Sequence, residues 1–146
     1  MKEDLSGYAY RLLARRSYTL SGMAKKLKGK GEPEDVRAVL DQLAESGYLD
    51  DYSFARDYIH SRCALRPSGR ALLEMKLRSK GVPAAIVREV LNELKPEEEE
   101  KMAEDLAKKK AALLRNLEPE DRRQRLYRFL LNRGFSPNIA EKYAKL

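Results

Sequence analysis

Apolar residues along this chain return every three or four positions, with polar residues filling the intervals. Leu5, Tyr8, Ala9, Leu12 and Leu13 make one such stripe, and Met23, Ala24 and Leu27 the next. Val36, Val39, Leu40 and Leu43 follow, then Phe54, Ala55, Tyr58 and Ile59. Leu72, Leu73 and Leu77 precede Ile86, Val87, Val90, Leu91 and Leu94. A longer stripe holds Met102, Ala103, Leu106, Ala107, Leu113 and Leu114. The last two are Leu126, Phe129 and Leu130, and Ile139, Ala140 and Tyr143. No stretch alternates with a period of two, so the pattern predicts nine helices and no strands.

The residues between the stripes set their ends. Thr19 suits the N-cap of helix two, which ends near Gly29–Gly31. Gly22 lies in that helix's first turn and weakens it by roughly 1 kcal/mol relative to alanine. Pro33 suits the first position of helix three, with Glu34 and Asp35 at its positive dipole end, and Gly47 stops it. Asp50 or Asp51 can cap helix four, and Pro67-Ser68-Gly69 breaks the chain before helix five. Pro83, Pro96, Pro119 and Pro137 are each expected to open a helix.

A pattern occurs three times: Leu27–Gly31–Pro33–Val36, Leu77–Gly81–Pro83–Ile86 and Leu130–Gly134–Pro137–Ile139. The glycine is expected to supply a left-handed turn, and the proline pre-sets the next helix. Periods near fifty residues mark a repeated supersecondary unit. The predicted fold is all-α, with three tandem three-helix repeats at 1–48, 49–95 and 96–146. A three-helix unit of this size buries little surface alone, so packing through the Tyr48-Leu49 joint is expected to help. Such arrays offer an extended surface, here expected to be elongated and curved, rather than one deep pocket.

Composition adds a direction. Charged residues make up 36% of the 146, against roughly 25% in an ordinary domain. Thirty Lys and Arg face 23 Asp and Glu, for a net charge of +7. That balance suits an acidic partner, nucleic acid first, although Lys- and Glu-rich helices also serve solubility. One cysteine, Cys63, excludes an intrachain disulfide and fits a reducing compartment. No apolar run approaches ~18 residues, so no membrane span is expected. A start of Met1-Lys2-Glu3-Asp4 lacks a signal core, and the cytoplasm follows by default.

Catalytic patterns are scarce. His60 and Cys63 lie three apart on helix four, but a zinc site needs about four ligands. No Gly-Lys-Ser/Thr phosphate loop follows a strand. Carboxylates crowd helix starts, where capping and dipole roles account for them. No catalytic residue, metal site or cofactor is expected.

The basic residues are more suggestive. The middle helix of each group carries them: Lys25, Lys26, Lys28 and Lys30; then Arg70, Lys76, Arg78 and Lys80; then Arg122, Arg123, Arg125, Arg128 and Arg133. Stacked in register, such faces would form a cationic stripe suited to a linear polyanion. Lys28, Lys30, Arg78, Lys80 and Arg133 also fit a simpler account, cations near a helix C-terminus. Arg122, Arg123 and Arg125 do not, since they lie early in their helix. A helix-turn-helix reader places the N-terminal residues of its recognition helix in a groove. Helix three opens Glu32-Pro33-Glu34-Asp35 and helix six Pro83-Ala84-Ala85, neither suited to that task.

The run Ala9-Tyr10-Arg11-Leu12-Leu13-Ala14-Arg15-Arg16, followed by Gly47-Tyr48-Leu49-Asp50-Asp51-Tyr52-Ser53-Phe54-Ala55, resembles the RecX family of bacterial recombination regulators. So does Pro67-Ser68-Gly69-Arg70 with the later Leu77-Arg78-Ser79-Lys80-Gly81-Val82. The third repeat matches only in pattern. One departure is Gly22, where an acidic residue often completes a capping box. The resemblance implies three tandem three-helix repeats. It implies a non-enzymatic regulator that lies in the groove of the RecA–single-stranded DNA filament, most often inhibiting ATP hydrolysis, strand exchange and co-protease activity. Some members also contact DNA directly, single-stranded or double-stranded. The family has no shared catalytic residues to carry over. The contact set expected here is Lys25, Lys26, Lys28, Lys30, Arg70, Arg78, Lys80, Arg122, Arg123 and Arg125, on a monomer. Tyr48 and Tyr52 are alternative contacts, or inter-repeat core. An independent nucleic-acid-binding module, or an adaptor for an acidic protein, remains as an alternative.

Overall fold

The computed structural model describes residues 4–146. These form nine helices and no strand: α1 (Leu5–Leu13), α2 (Leu20–Leu27), α3 (Pro33–Glu45), α4 (Asp51–Leu65), α5 (Arg70–Ser79), α6 (Ala84–Leu91), α7 (Pro96–Leu113), α8 (Pro119–Asn132) and α9 (Pro137–Ala144). They gather into two compact units. The first runs to Asp57 and takes in Leu77–Val87; the second is made of Tyr58–Lys76 and Arg88–Leu146.

The apolar stripes form the cores. In the first unit Ala9, Tyr18, Met23, Leu27, Leu43 and Leu49 are buried, with Leu5, Tyr8, Leu12, Val36, Val39 and Leu40 packed around them. In the second, Ala103, Ala107, Leu130, Phe135 and Ala140 are buried among Met102, Leu106, Phe129, Ile139 and Tyr143. Two expectations of burial need correction. Leu113 is 78% exposed. At 100° per residue it lies about 100° off the line of Ala103, Ala107 and Leu114, so the α7 stripe leaves it outside. Tyr48 is 55% exposed while Leu49 is 4% exposed. The turn at Gly47 sends Tyr48 outward, where it meets Tyr10 edge to face at 5.3 Å.

Three helices end in the same way. Gly47, Gly81 and Gly134 have φ of +83°, +90° and +92°. The next residue's N–H then bonds back to a leucine carbonyl: Tyr48 to Leu43 at 2.9 Å, Val82 to Leu77 at 3.1 Å, Phe135 to Leu130 at 3.1 Å. Each is the Leu-x-x-x-Gly signature of a Schellman turn. Leu27–Gly31 shares the letters but not the geometry. There α2 stops at Leu27, Lys28 leaves the helical region at ψ 127°, and Gly29 rather than Gly31 takes the positive φ. Pro83 also differs from expectation, standing just before α6, whereas Pro33, Pro96, Pro119 and Pro137 are first residues of their helices.

Two joints of like construction position the cationic residues. In the first unit, Thr19 Oγ accepts the Gly22 N–H at 2.9 Å, capping α2, and donates to the Lys80 carbonyl at 2.8 Å. Asp51 accepts the Leu20 N–H at 2.8 Å, while Asp50 caps α4 through the Tyr52 and Ser53 N–H groups. Asp50 and Asp51 thus hold different helices. A methyl at Gly22 would lie 3.0 Å from Thr19 Oγ, so glycine leaves that cap room. In the second unit, Glu99 accepts the Arg70 N–H at 2.8 Å. The Gly69 and Ala71 N–H groups donate to the carbonyls of Arg133 and Gly134 at 2.7 and 3.1 Å. In both joints, the start of a middle helix sits on the C-terminal turn of the middle helix of the following triplet. In the second joint open N–H groups at one helix start meet open carbonyls at another helix end; in the first the Thr19 hydroxyl makes that link.

Candidate cationic interface

In the first unit Lys25, Lys26, Lys28 and Lys30 are exposed on and just after α2, and Arg78 and Lys80 are exposed at the end of α5. The Thr19–Lys80 bond brings those two segments together. Beside it lies a hollow of about 200 Å³ lined by Arg16, Lys25 and Lys80, with Thr19, Ser79 and Phe54 also in its wall. Arg16 stacks over Tyr18 at 4.2 Å from the ring centroid. No carboxylate contributes to the lining. Cations and hydroxyls around an open hollow suit a phosphate group, and the aromatic wall suits an unstacked base. Lys30 turns back toward Tyr8, 5.6 Å from its ring.

Arg16 and Phe54 lie outside the contact set expected from the sequence. Their signal was present, since both lie inside the runs that resemble the family. They sit in apolar or mixed stretches, and only folding brings them beside Lys80.

In the second unit Arg123 and Arg125 are exposed on α8 and Arg122 is half-buried. Arg123 pairs with Glu120 at 3.2 Å, an exposed contact that contributes little. Arg123 also lines a hollow of about 260 Å³ with Gln124, Tyr127, Glu141 and Ala144. Arg70 is of another kind. Its Nε meets Glu99 at 3.2 Å, and its two terminal nitrogens donate to the carbonyls of Leu91 and Leu94. Glu99 is buried. Arg70 therefore joins α5 to the end of α6 and the start of α7, and its guanidinium is engaged inside the unit. The account of the α7 carboxylates as dipole partners alone also changes. Glu99 holds Arg70, and Glu100 accepts from Lys142 at 2.8 Å and Tyr143 at 3.1 Å. Those two donors hold the Glu100 carboxyl below its ordinary value, and the hydrogen bond to Glu100 in turn raises the Lys142 amine.

His60 is exposed and Cys63 half-buried, its Sγ 4.0 Å from the Ser68 carbonyl. Burial pushes the Cys63 thiol up, away from the reactive thiolate. Among the described residues no three His, Cys, Asp or Glu side chains gather as metal ligands, and no helix is long and apolar enough to cross a membrane.

Fold and surface together define a helical protein of repeated three-helix units that presents cationic side chains in two places. Residues 50–91 match the second three-helix domain of RecX and residues 97–143 the third. The chain is 37% identical to the regulatory protein RecX of Pelodictyon phaeoclathratiforme, over 88% of this chain and 79% of that one. It is 35% identical to the regulatory protein RecX of Chlorobium limicola, over 99% and 91%. The crystal structure of RecX from Lactobacillus salivarius superposes with a TM-score of 0.88 over 95% of this chain and 91% of that one, at 19% identity, and shares its fold. A second crystal structure of a regulatory protein RecX, 27% identical, gives 0.82 over 98% and 73%. The chain belongs to the RecX family, whose curated members are named regulatory proteins.

Proposed function

We propose that this protein is a non-enzymatic regulator of the RecA recombinase, acting on the RecA–single-stranded DNA filament and inhibiting its ATPase, strand-exchange and co-protease activities. The observation that carries the reading is the RecX relationship across nearly the whole chain. The surface supports it. Lys25, Lys26, Lys28, Lys30, Arg78 and Lys80 form the contact set of the first unit, with Arg16 added at the hollow. Arg122, Arg123 and Arg125 form that of the second. Arg70 leaves the set because its donors already have acceptors within the molecule. Clusters of exposed cations contact phosphates without reading sequence. That suits a ligand that must bind a filament on any DNA.

The test adds this protein to RecA on single-stranded DNA at substoichiometric amounts and follows ATP hydrolysis and filament length. Strong inhibition well below the amount that coats the DNA is expected. Inhibition that begins only when naked DNA is saturated would mean competition for DNA. That would favour the alternative, a nucleic-acid-binding module acting without RecA.

A further inference from the structure

We propose that Arg62, Arg66 and Arg133 form a phosphate-binding site where the end of α4 meets the C-terminal turn of α8. Arg62 and Arg66 are one helical turn apart on the same face, and the Arg66 N–H bonds to the Arg62 carbonyl at 2.6 Å. Arg133 reaches the same corner, donating from one terminal nitrogen to the Pro67 carbonyl, the residue after Arg66. Its backbone is fixed there too, because the Gly69 N–H donates to the Arg133 carbonyl. Arg133 thus reaches the stretch of chain that carries Arg62 and Arg66, and their charges act on it.

Their hydrogen bonding is incomplete. The Nε atoms of Arg62 and Arg133 are both buried and both without a partner. Arg62 makes one long bond, 3.5 Å, to the Tyr58 hydroxyl. Helix-dipole attraction accounts for cations at the end of α4 and for the Arg133–Pro67 contact. It does not account for two buried N–H groups left open on like-charged neighbours, each desolvated with no hydrogen bond in return. Burial, and then the like charges of Arg66 and Arg62, work against the charge on Arg133. The carboxylates acting nearby, Glu98 and Glu99, bear on Cys63, and Glu99 is held by Arg70. An oxyanion with several acceptor oxygens meets all of these needs: it neutralises the cluster, and a small turn of each guanidinium gives its Nε–H an acceptor. The ligand is a phosphate group, from a nucleic-acid backbone or from free phosphate. The site stands apart from the contact set proposed above, and its failure would leave that reading intact.

The arginine Nε–Hε signals of the intact, ¹⁵N-labelled protein report on it directly. Sodium phosphate is titrated against sodium chloride at matched ionic strength, and an oligothymidylate in a parallel arm. Arg62→Lys and Arg133→Lys assign the two signals. Saturable movement of both with phosphate, absent with chloride, is expected. The same movement at lower oligothymidylate concentration identifies a backbone phosphodiester, and movement with phosphate alone identifies the free anion. Arg66→Gln, at an exposed position, should leave the amide spectrum folded and weaken binding about tenfold. No movement beyond that of chloride in either arm, or unchanged affinity in Arg66→Gln, would overturn the site.

Discussion

Gly134 answers two demands at one residue. Its φ is +92°, and a methyl there would overlap the Leu72 backbone and Cβ. Gly29 has a φ of +80° with nothing near a methyl. Alanine at Gly29 should therefore cost only left-handed strain, about 1–2 kcal/mol. At Gly134 it adds overpacking, for roughly 2–5 kcal/mol in all. Urea unfolding of both variants measures the difference, and equal losses would show that the close approach is not felt. Cys63 gives a chemical test at the same scale. With its thiol raised by burial, it should react with a thiol reagent at neutral pH much more slowly in the folded protein than in urea. The sequence marks Gly134 as a helix stop, because Leu-x-x-x-Gly is a local signature. It does not reveal that Gly69 lies against it, since that contact spans two helices.

Helix ends carry the energetics of the elements. Thr19 caps α2 as its hydroxyl and position predict, but its bond to the Lys80 carbonyl lies 61 residues away. Thr19→Ala should lose the cap and that bond, about 1–3 kcal/mol by chemical denaturation. Glu99→Ala should cost more, about 3–5 kcal/mol, because it strips the charge partner from Arg70 and leaves the first N–H of α5 open. Glu99→Gln keeps an acceptor and should lose less. At the α7–α9 contact, Glu100 titrates below its ordinary value of 4.5, so its contribution is complete above that pH and fades as pH falls through the lowered value. Lys142, raised above 10.5, contributes below that pH and loses its contribution as pH rises through the raised value. The urea midpoints of Glu100→Gln and the parent should differ at pH 7 and converge toward pH 3. A gap that stays constant would remove this carboxylate from the pH dependence.

For the whole molecule the open cations decide the outcome. Reversing Arg122, Arg123 and Arg125 to glutamate should weaken binding to the RecA–DNA filament and flatten its salt dependence. The same change at Lys25 and Lys26 tests the first unit independently. An unchanged salt slope would remove the reversed residues from the contact set. Arg70→Gln should behave otherwise, lowering stability while leaving the salt slope unaltered, since its guanidinium faces Glu99 and two carbonyls.

Helix number, most helix limits and the glycine turns at Gly47, Gly81 and Gly134 follow from the chain alone, because a 3.6-residue period, a proline and a capping hydroxyl act within a few positions of themselves; the turn expected at Gly31 falls at Gly29 instead. The cationic character is likewise additive and needs no coordinates. Only tertiary structure separates Arg70 from Arg78. Both are arginines of one helix, yet Arg70 meets a carboxylate 29 residues on, while Arg78 stays exposed. The same holds for Arg16 beside Lys80 and for Arg133 beside Arg62. Whether a charge is open or engaged depends on what the fold brings within about 4 Å of it, and no local pattern encodes that distance.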